Sequence, residues 1–281
     1  MISHNKICVI DFETDGLDPN YNQPISIGAV MLDGRRLTIC DGGIFYSLMS
    51  RIDDNEVEQY GLSRLSKSAL DKNKITEQEI ASAPSCKKVW ADFVNWFRYF
   101  TPKNDEWECP ILAGHNLTYD LTILKRLQHG HLRDNHIISE KLLPKTKISK
   151  MSDQELANEY KKIKTLKEPW GFGPDKFYHP FMNLDTKLFS FSWLESSRAP
   201  SSLSLDNLKL FFNLKDQEGV SAHNSLVDSL WTAEILVRFL SLQRQIFHDV
   251  QFETSGETVL PVNEIIQKTF KNSSEVEEAP F

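Results

Sequence analysis

The chain has 281 residues, of which 40% are hydrophobic and 25% charged, with a formal net charge of −7. That length fits one large domain, or one domain with a sizeable insertion, of ordinary globular composition. The negative balance argues against a broadly basic nucleic-acid binder, although bound metal and a local basic strip let an acidic protein handle phosphate.

No apolar run approaches the ~18 residues of a membrane span, so no membrane partner is expected. The start, MISHNKICVIDFE, passes directly into a strand-like run without a cleavable signal pattern. Cys8, Cys40, Cys86 and Cys109 form no CxxC pair. They read as thiols of a reducing cytosol, and a cytoplasmic location is expected.

The first β-branched run, Lys6 to Phe12, predicts a buried strand. A loop, DGLDPNYNQ, leads to a second strand, PISIGAVML. Asp33-Gly34 is a hairpin signal before a third strand over about residues 37–48. From Asp54 to Phe100 the pattern is helical, with Val89, Phe93, Trp96, Phe97 and Phe100 along one apolar stripe. Pro110 to Ala113 predicts a strand ending at Gly114-His115-Asn116, then a helix with Leu121, Leu124 and Leu127 on its apolar side. Residues 131–180 fit no element. Within 141–168, eight lysines face four acids, a local positive excess in a negative chain. MNLDTKLF predicts a fifth short strand entering a helix, SLSLDNLKLFF a helix capped by Ser204, and DSLWTAEILVRFLSL an amphipathic helix. The end, KNSSEVEEAPF, is acidic and predicts a flexible tail. These boundaries divide the chain into a domain over 1–243, with 131–180 as an insertion, and an extension over 244–281.

Asp11 and Glu13 are two apart on a strand, so both project from one face and Phe12 from the other. Gly16, in Thr14-Asp15-Gly16-Leu17, permits a tight turn beside them. Ordinary polar residues where a strand meets a loop give the same pattern, and that alternative stays open. Asn116 is a candidate N-cap, with Asp120 in the first turn of the next helix. A dipole-favourable acid at a helix start is the other reading of Asp120, and His115 and Asn116 read as residues that shape the turn. His223 and Asp228 are five apart, about 140° around a continuous helix. They share a target only if His223 lies in the preceding loop and the helix begins near Asn224. A solvent-exposed loop histidine before a first-turn acid stays open beside this. Isolated carboxylates are costly to bury. A shared partner for Asp11, Glu13, Asp120 and Asp228 is therefore a pair of hard divalent cations, which prefer oxygen ligands.

Taken in order, these segments resemble the DEDDh branch of the DnaQ-like 3′→5′ exonucleases over about residues 6–243. VIDFETDGL matches the first motif through Asp11 and Glu13, GHNLTYD the second through Tyr119 and Asp120, and HNSLVD the third through His223 and Asp228. Leu184-Asp185-Thr186 and Ser204 to Leu208 resemble the family's intervening strand and helix. The lysine-rich segment departs from the smallest members.

The resemblance implies a ribonuclease-H-like α/β fold: a mixed five-stranded sheet flanked by helices, with the lysine-rich insertion before the last strand. It implies two Mg2+ or Mn2+ ions held by Asp11, Glu13, Asp120 and Asp228, and His223 as general base. Phe12, Thr14, Leu17, His115, Asn116 and Tyr119 are expected at the terminal nucleotides. The substrate is then the 3′ end of single-stranded DNA or RNA, cleaved to nucleoside 5′-monophosphates, and a silent nucleic-acid-binding module is the reading from another class.

Lysines of 141–168 either track phosphates or form a solvated face with charges of both signs. Glu275 to Phe281, acidic and ending in Pro-Phe, is similar to the C-terminal tip of bacterial single-stranded-DNA-binding proteins, which dock on replication and repair enzymes. A disordered acidic end is the other reading.

Overall fold

The computed structural model describes residues 5–51, 57, 62–101, 109–128, 152, 178–179, 182–194, 200–214 and 224–249. His223, the acidic Pro-Phe end and all of 131–180 except residues 152, 178 and 179 lie outside the described residues. The chain divides into two compact units, Met1–Phe239 and Leu240–Phe281. The second contributes to the described residues only the last turns of the final helix.

The first unit is built on a five-stranded sheet. Its strands are β1 (Lys6–Thr14), β2 (Pro24–Asp33), β3 (Thr38–Leu48), β4 (Ile111–Gly114) and β5 (Asn183–Asp185). They lie in the order β3-β2-β1-β4-β5. β1, β2 and β3 form an antiparallel meander, while β4 and β5 join parallel to β1 and to each other. This is the mixed α/β sheet that the sequence predicts. The helices among the described residues are α1 (Lys67–Asn73), α2 (Glu77–Ser82), α3 (Cys86–Tyr99), α4 (Thr118–Gln128), α5 (Thr186–Leu194), α6 (Leu205–Phe211) and α7 (Ser225–Asp249).

Alternation along β1 separates core from chemistry. Cys8, Ile10 and Phe12 share a buried cluster with Ile27, Ala29 and Met31 of β2, Leu112 of β4, and the apolar sides of α3 and α4. Val89, Phe93 and Phe97 of α3 sit there as the stripe predicts, but so does Trp90, which is 2% exposed and was not part of the stripe. The buried face of α3 is wider than a single row, as in helices covered by a sheet and a second helix. Burying each such ring contributes about 1.5–3 kcal/mol. A second cluster joins Leu194 of α5, Leu208 of α6, and Ile235 and Phe239 of α7.

Two local details differ from expectation. The 54–100 region is interrupted: α1, α2 and α3 are separate, with a Thr76–Glu79 capping box opening α2. At Asp33-Gly34 the left-handed residue is Leu37 (φ 57°), not the glycine. The Asp33 carboxylate organises the turn by accepting from the backbone N–H groups of Arg35 and Arg36, each at 2.9 Å.

Candidate active site

The site forms where β4 stops covering the edge of β1. β4 pairs with β1 only from Ile7 to Val9. The N–H of Phe12 therefore lacks a strand partner on that edge, and a buried donor needs one. Asp120, in the first turn of α4, fills this place: its Oδ1 accepts from the Phe12 N–H at 3.0 Å. The Phe12 ring points the other way, into the core, and is 5% exposed. What Phe12 offers the site is backbone.

The start of α4 is held differently from the sequence expectation. Asn116 is left-handed (φ 65°) and does not cap the helix. The cap comes from the end of β5, where the Asp185 carboxylate accepts from the N–H groups of Asn116 at 3.1 Å and Leu117 at 2.9 Å. Asparagine tolerates the left-handed turn, and the acid favours the positive end of the helix. His115 is clamped beside it. Its Nε2 lies 2.9 Å from the Leu203 carbonyl, which only accepts, so that nitrogen donates. Its Nδ1 lies 2.9 Å from the Thr186 hydroxyl. Burial lowers the His115 pKa, partly opposed by Leu203 and Asp185.

Asp228 arrives from the opposite side through contacts at Gly28, which pairs with Asp11 across β1 and β2. A Cβ on Gly28 would lie 2.2 Å from the backbone C and O of Ser225. The missing side chain is what lets α7 rest on the sheet. Ser229 Oγ donates to the Gly28 carbonyl at 2.9 Å, and the Ser26 and Ser225 hydroxyls meet at 2.9 Å. Asn224 caps the helix, its Oδ1 accepting from Leu226 N–H at 3.0 Å and Val227 N–H at 3.4 Å. α7 thus begins at Ser225, with Asp228 in its first turn.

The result is a cluster in which one carboxylate oxygen from each of Asp11, Glu13 and Asp228 lies within 4.8 Å of the others. Burial, then Asp120, Glu13 and Asp228, push the Asp11 carboxyl well above its usual range. Burial, then Asp228, raise Glu13 to about 7, while Lys72 pulls it down. Burial raises Asp120 strongly as well, against the Phe12 N–H and its own. So much negative charge in one half-buried place is stable only with protons or cations. An all-carboxylate donor set of this size suits a hard divalent cation. Asp11, Glu13 and Asp228 fit that role directly, with Asp120 acting on the same set.

The turn after β1 is held firmly. Asp15, fully buried, accepts from Gln23 N–H at 2.7 Å, Asn22 Nδ2 at 3.0 Å and Arg51 Nε at 2.9 Å. Arg126 Nη1 donates to the carbonyls of Pro19 at 2.6 Å and Asn22 at 2.5 Å. The Thr14 and Tyr119 hydroxyls meet at 2.5 Å and both reach the Gly16 carbonyl, at 2.6 and 3.1 Å. From this rigid base Leu17 projects with 89% exposure.

Of the residues singled out in the sequence, Asp11, Glu13, Asp120 and Asp228 are brought together. Thr14, Tyr119 and Leu17 flank them. His115 is bonded into the scaffold, and His223 lies outside the described residues. Sequence reasoning missed Gly28, Asp185, Arg51 and Arg126. Only Gly28 left a signal, as a glycine inside an otherwise apolar strand, which marks a close backbone approach.

Comparison with known proteins places the fold. The RNase T exonuclease family model matches residues 8–168, a stretch that includes Asp11, Glu13 and Asp120 and ends before Asp228. No curated protein matches the sequence. Among solved structures, E. coli exonuclease I in complex with a dT13 oligonucleotide aligns over 87% of this chain and 43% of its own (14% identity, TM-score 0.54). Cell-death related nuclease 4 aligns over 85% of this chain and 64% of its own, at 15% identity and TM-score 0.50. Exonuclease I from Methylocaldum szegediense aligns over 86% and 41%, at 15% identity and TM-score 0.50. These likenesses are likenesses of fold, and the chain spans less than half the length of the exonuclease I proteins. With the family model covering more than half of the sequence, the chain belongs to the RNase T family of exonucleases.

Proposed function

We propose that the protein is a metal-dependent 3′–5′ exonuclease that releases nucleoside 5′-monophosphates from single-stranded nucleic acid, with DNA preferred to RNA. The convergence of Asp11, Glu13 and Asp228 into one oxygen cluster carries this reading. Asp11, Glu13, Asp120 and Asp228 would hold two Mg2+ or Mn2+ ions. Bound there, the cations supply charge neutralisation at the phosphoryl oxygens and acidify the attacking water.

The chain's own groups do the rest. The Asp120–Phe12 bond and the α7 contacts at Gly28 fix the spacing of the acids before substrate arrives, so little reorganisation is left for the reaction. In the sequence His223 immediately precedes Asn224, the cap residue of α7. In this reading it takes the proton of the attacking water, and the 3′ oxygen of the preceding nucleotide leaves. Leu17, exposed on its rigid turn, meets the terminal bases. Support for DNA comes from exonuclease I, which shares the fold and was captured with dT13.

The test uses end-labelled DNA and RNA strands of matched sequence with Mg2+, comparing wild type with Asp11→Ala and His223→Ala. Wild type should shorten DNA from the 3′ end faster than RNA. Asp11→Ala should abolish shortening, and His223→Ala should slow it by about 10²–10⁴-fold. Equal shortening by all three proteins refutes the assignment. Faster loss of the RNA strand would turn the reading to an exoribonuclease.

A further inference from the structure

Helix α1 is tied to the end of β1 at both of its own ends. At its start the Ser66 N–H donates to the Asp15 carbonyl at 2.8 Å. At its finish the buried Asn73 donates through Nδ2 to the Thr14 carbonyl at 3.2 Å. Leu70 between them packs with Ile25, Ile75 and Ile80. The helix is therefore fixed along the rim of the carboxylate cluster, and its last turn carries an exposed cation, Lys72.

Lys72 lies within electrostatic range of Glu13 and favours its charged form. Yet its ammonium makes no ion pair or hydrogen bond with any described side chain. A lysine serving only to neutralise Glu13 would be expected to close onto it. This one stays solvated, one residue before the anchor that holds its helix in place. Its charge therefore stands near Glu13 and open to solvent.

We propose that Lys72 is a substrate-positioning residue whose ammonium takes a phosphate of the strand backbone as the 3′ end enters the carboxylate cluster. The proposal rests on the exonuclease reading and deepens it. The contact reads charge and not sequence, because every nucleotide presents the same phosphate. Lysine suits the task as a point charge on a flexible stem, which tolerates a strand that must advance after each cut.

The experiment measures kcat and KM for a labelled single-stranded DNA across a range of salt, for wild type, Lys72→Ala and Lys72→Arg. Lys72→Ala should raise KM by about tenfold, the scale of a hydrogen bond to a charged group, with kcat changed by less than twofold. The log–log slope of kcat/KM on salt should become shallower by about 0.7, the value for one phosphate contact on a single strand. Lys72→Arg should restore most of both. A structural role would lower the melting temperature and leave the salt slope alone. An unchanged slope in Lys72→Ala, with wild type active, overturns this inference and spares the exonuclease reading. A wild type that shortens no strand overturns that reading first.

Discussion

Replacing Gly28 with alanine tests whether the approach of α7 to the sheet sets the active-site geometry. The new Cβ would meet the Ser225 backbone at 2.2 Å and Leu226 N at 2.3 Å, where ordinary contact begins near 3.4 Å. These are backbone atoms at the start of a helix, so no rotamer change relieves the clash. The helix start must withdraw by about 1.2 Å, and Asp228, one turn further on, moves with it. The Ser229–Gly28 and Ser26–Ser225 bonds lengthen too. Overpacking of this kind costs about 1–3 kcal/mol, which lowers the melting temperature by up to roughly 10 °C in a domain of this size. The catalytic cost is disproportionate, since a displacement of ~1 Å costs on the order of 10²-fold in rate. The assay is single-strand digestion with Mg2+ alongside thermal unfolding, with Gly28→Ser as a second variant of the same kind. Both should remain folded and lose about 10²-fold in kcat. Wild-type kcat in a folded Gly28→Ala protein would refute the idea that this contact places Asp228.

Two further outcomes follow from the scaffold and the charges. Asp185→Ala should cost about 1 kcal/mol by removing the cap of α4 and should lower kcat, because α4 carries Asp120. Asp185→Asn keeps an acceptor and should recover most of both, and equal losses in the two variants would show that charge and not capping is at stake. For pH, Glu13 is raised from 4.5 to about 7 by burial and then Asp228. Between those values the folded protein keeps a proton that the unfolded chain has released, so the group's contribution to stability declines as pH rises through the window. In a chelator, the melting temperature of wild type relative to Glu13→Gln should fall from pH 4.5 to about 7, and Mg2+ should flatten the decline. A difference that grows with pH in the chelator would contradict the sign.

The parts legible in the sequence are those decided locally. Alternation in KICVIDFET put Asp11 and Glu13 on one face because strand geometry permits nothing else. A shared target for His223 and Asp228 requires the last helix to start near Asn224, and α7 begins at Ser225. The parts that were not legible depend on partners far apart in the chain. Asp185 caps α4 from 68 residues away, and Arg126 secures carbonyls more than 100 residues before it. The cap expected at Asn116 fails for the same reason, while its role in shaping the turn holds. A local rule favoured it as a cap, and the tertiary cap from β5 freed it to make the left-handed turn.

A cluster of acids works against the fold that carries it, and the surrounding contacts show how the protein tolerates this. The carboxylates sit at ends of elements: the last residues of β1 and the first turns of α4 and α7, where two helix dipoles favour negative charge. Asp120 takes a backbone donor that the short β4 leaves open, so one acid doubles as a structural bond. The ties of Asp15 to Arg51 and of Arg126 to two carbonyls are made on the turn after β1. They hold the chain that carries Asp11 and Glu13 without neutralising either. Had Arg51 paired with Glu13 instead, the fold would gain an ion pair and the site would lose an oxygen ligand. Directing the arginines to the turn after β1 keeps their charge off Asp11 and Glu13. That division of charges distinguishes the carboxylate cluster from an ordinary buried salt-bridge network.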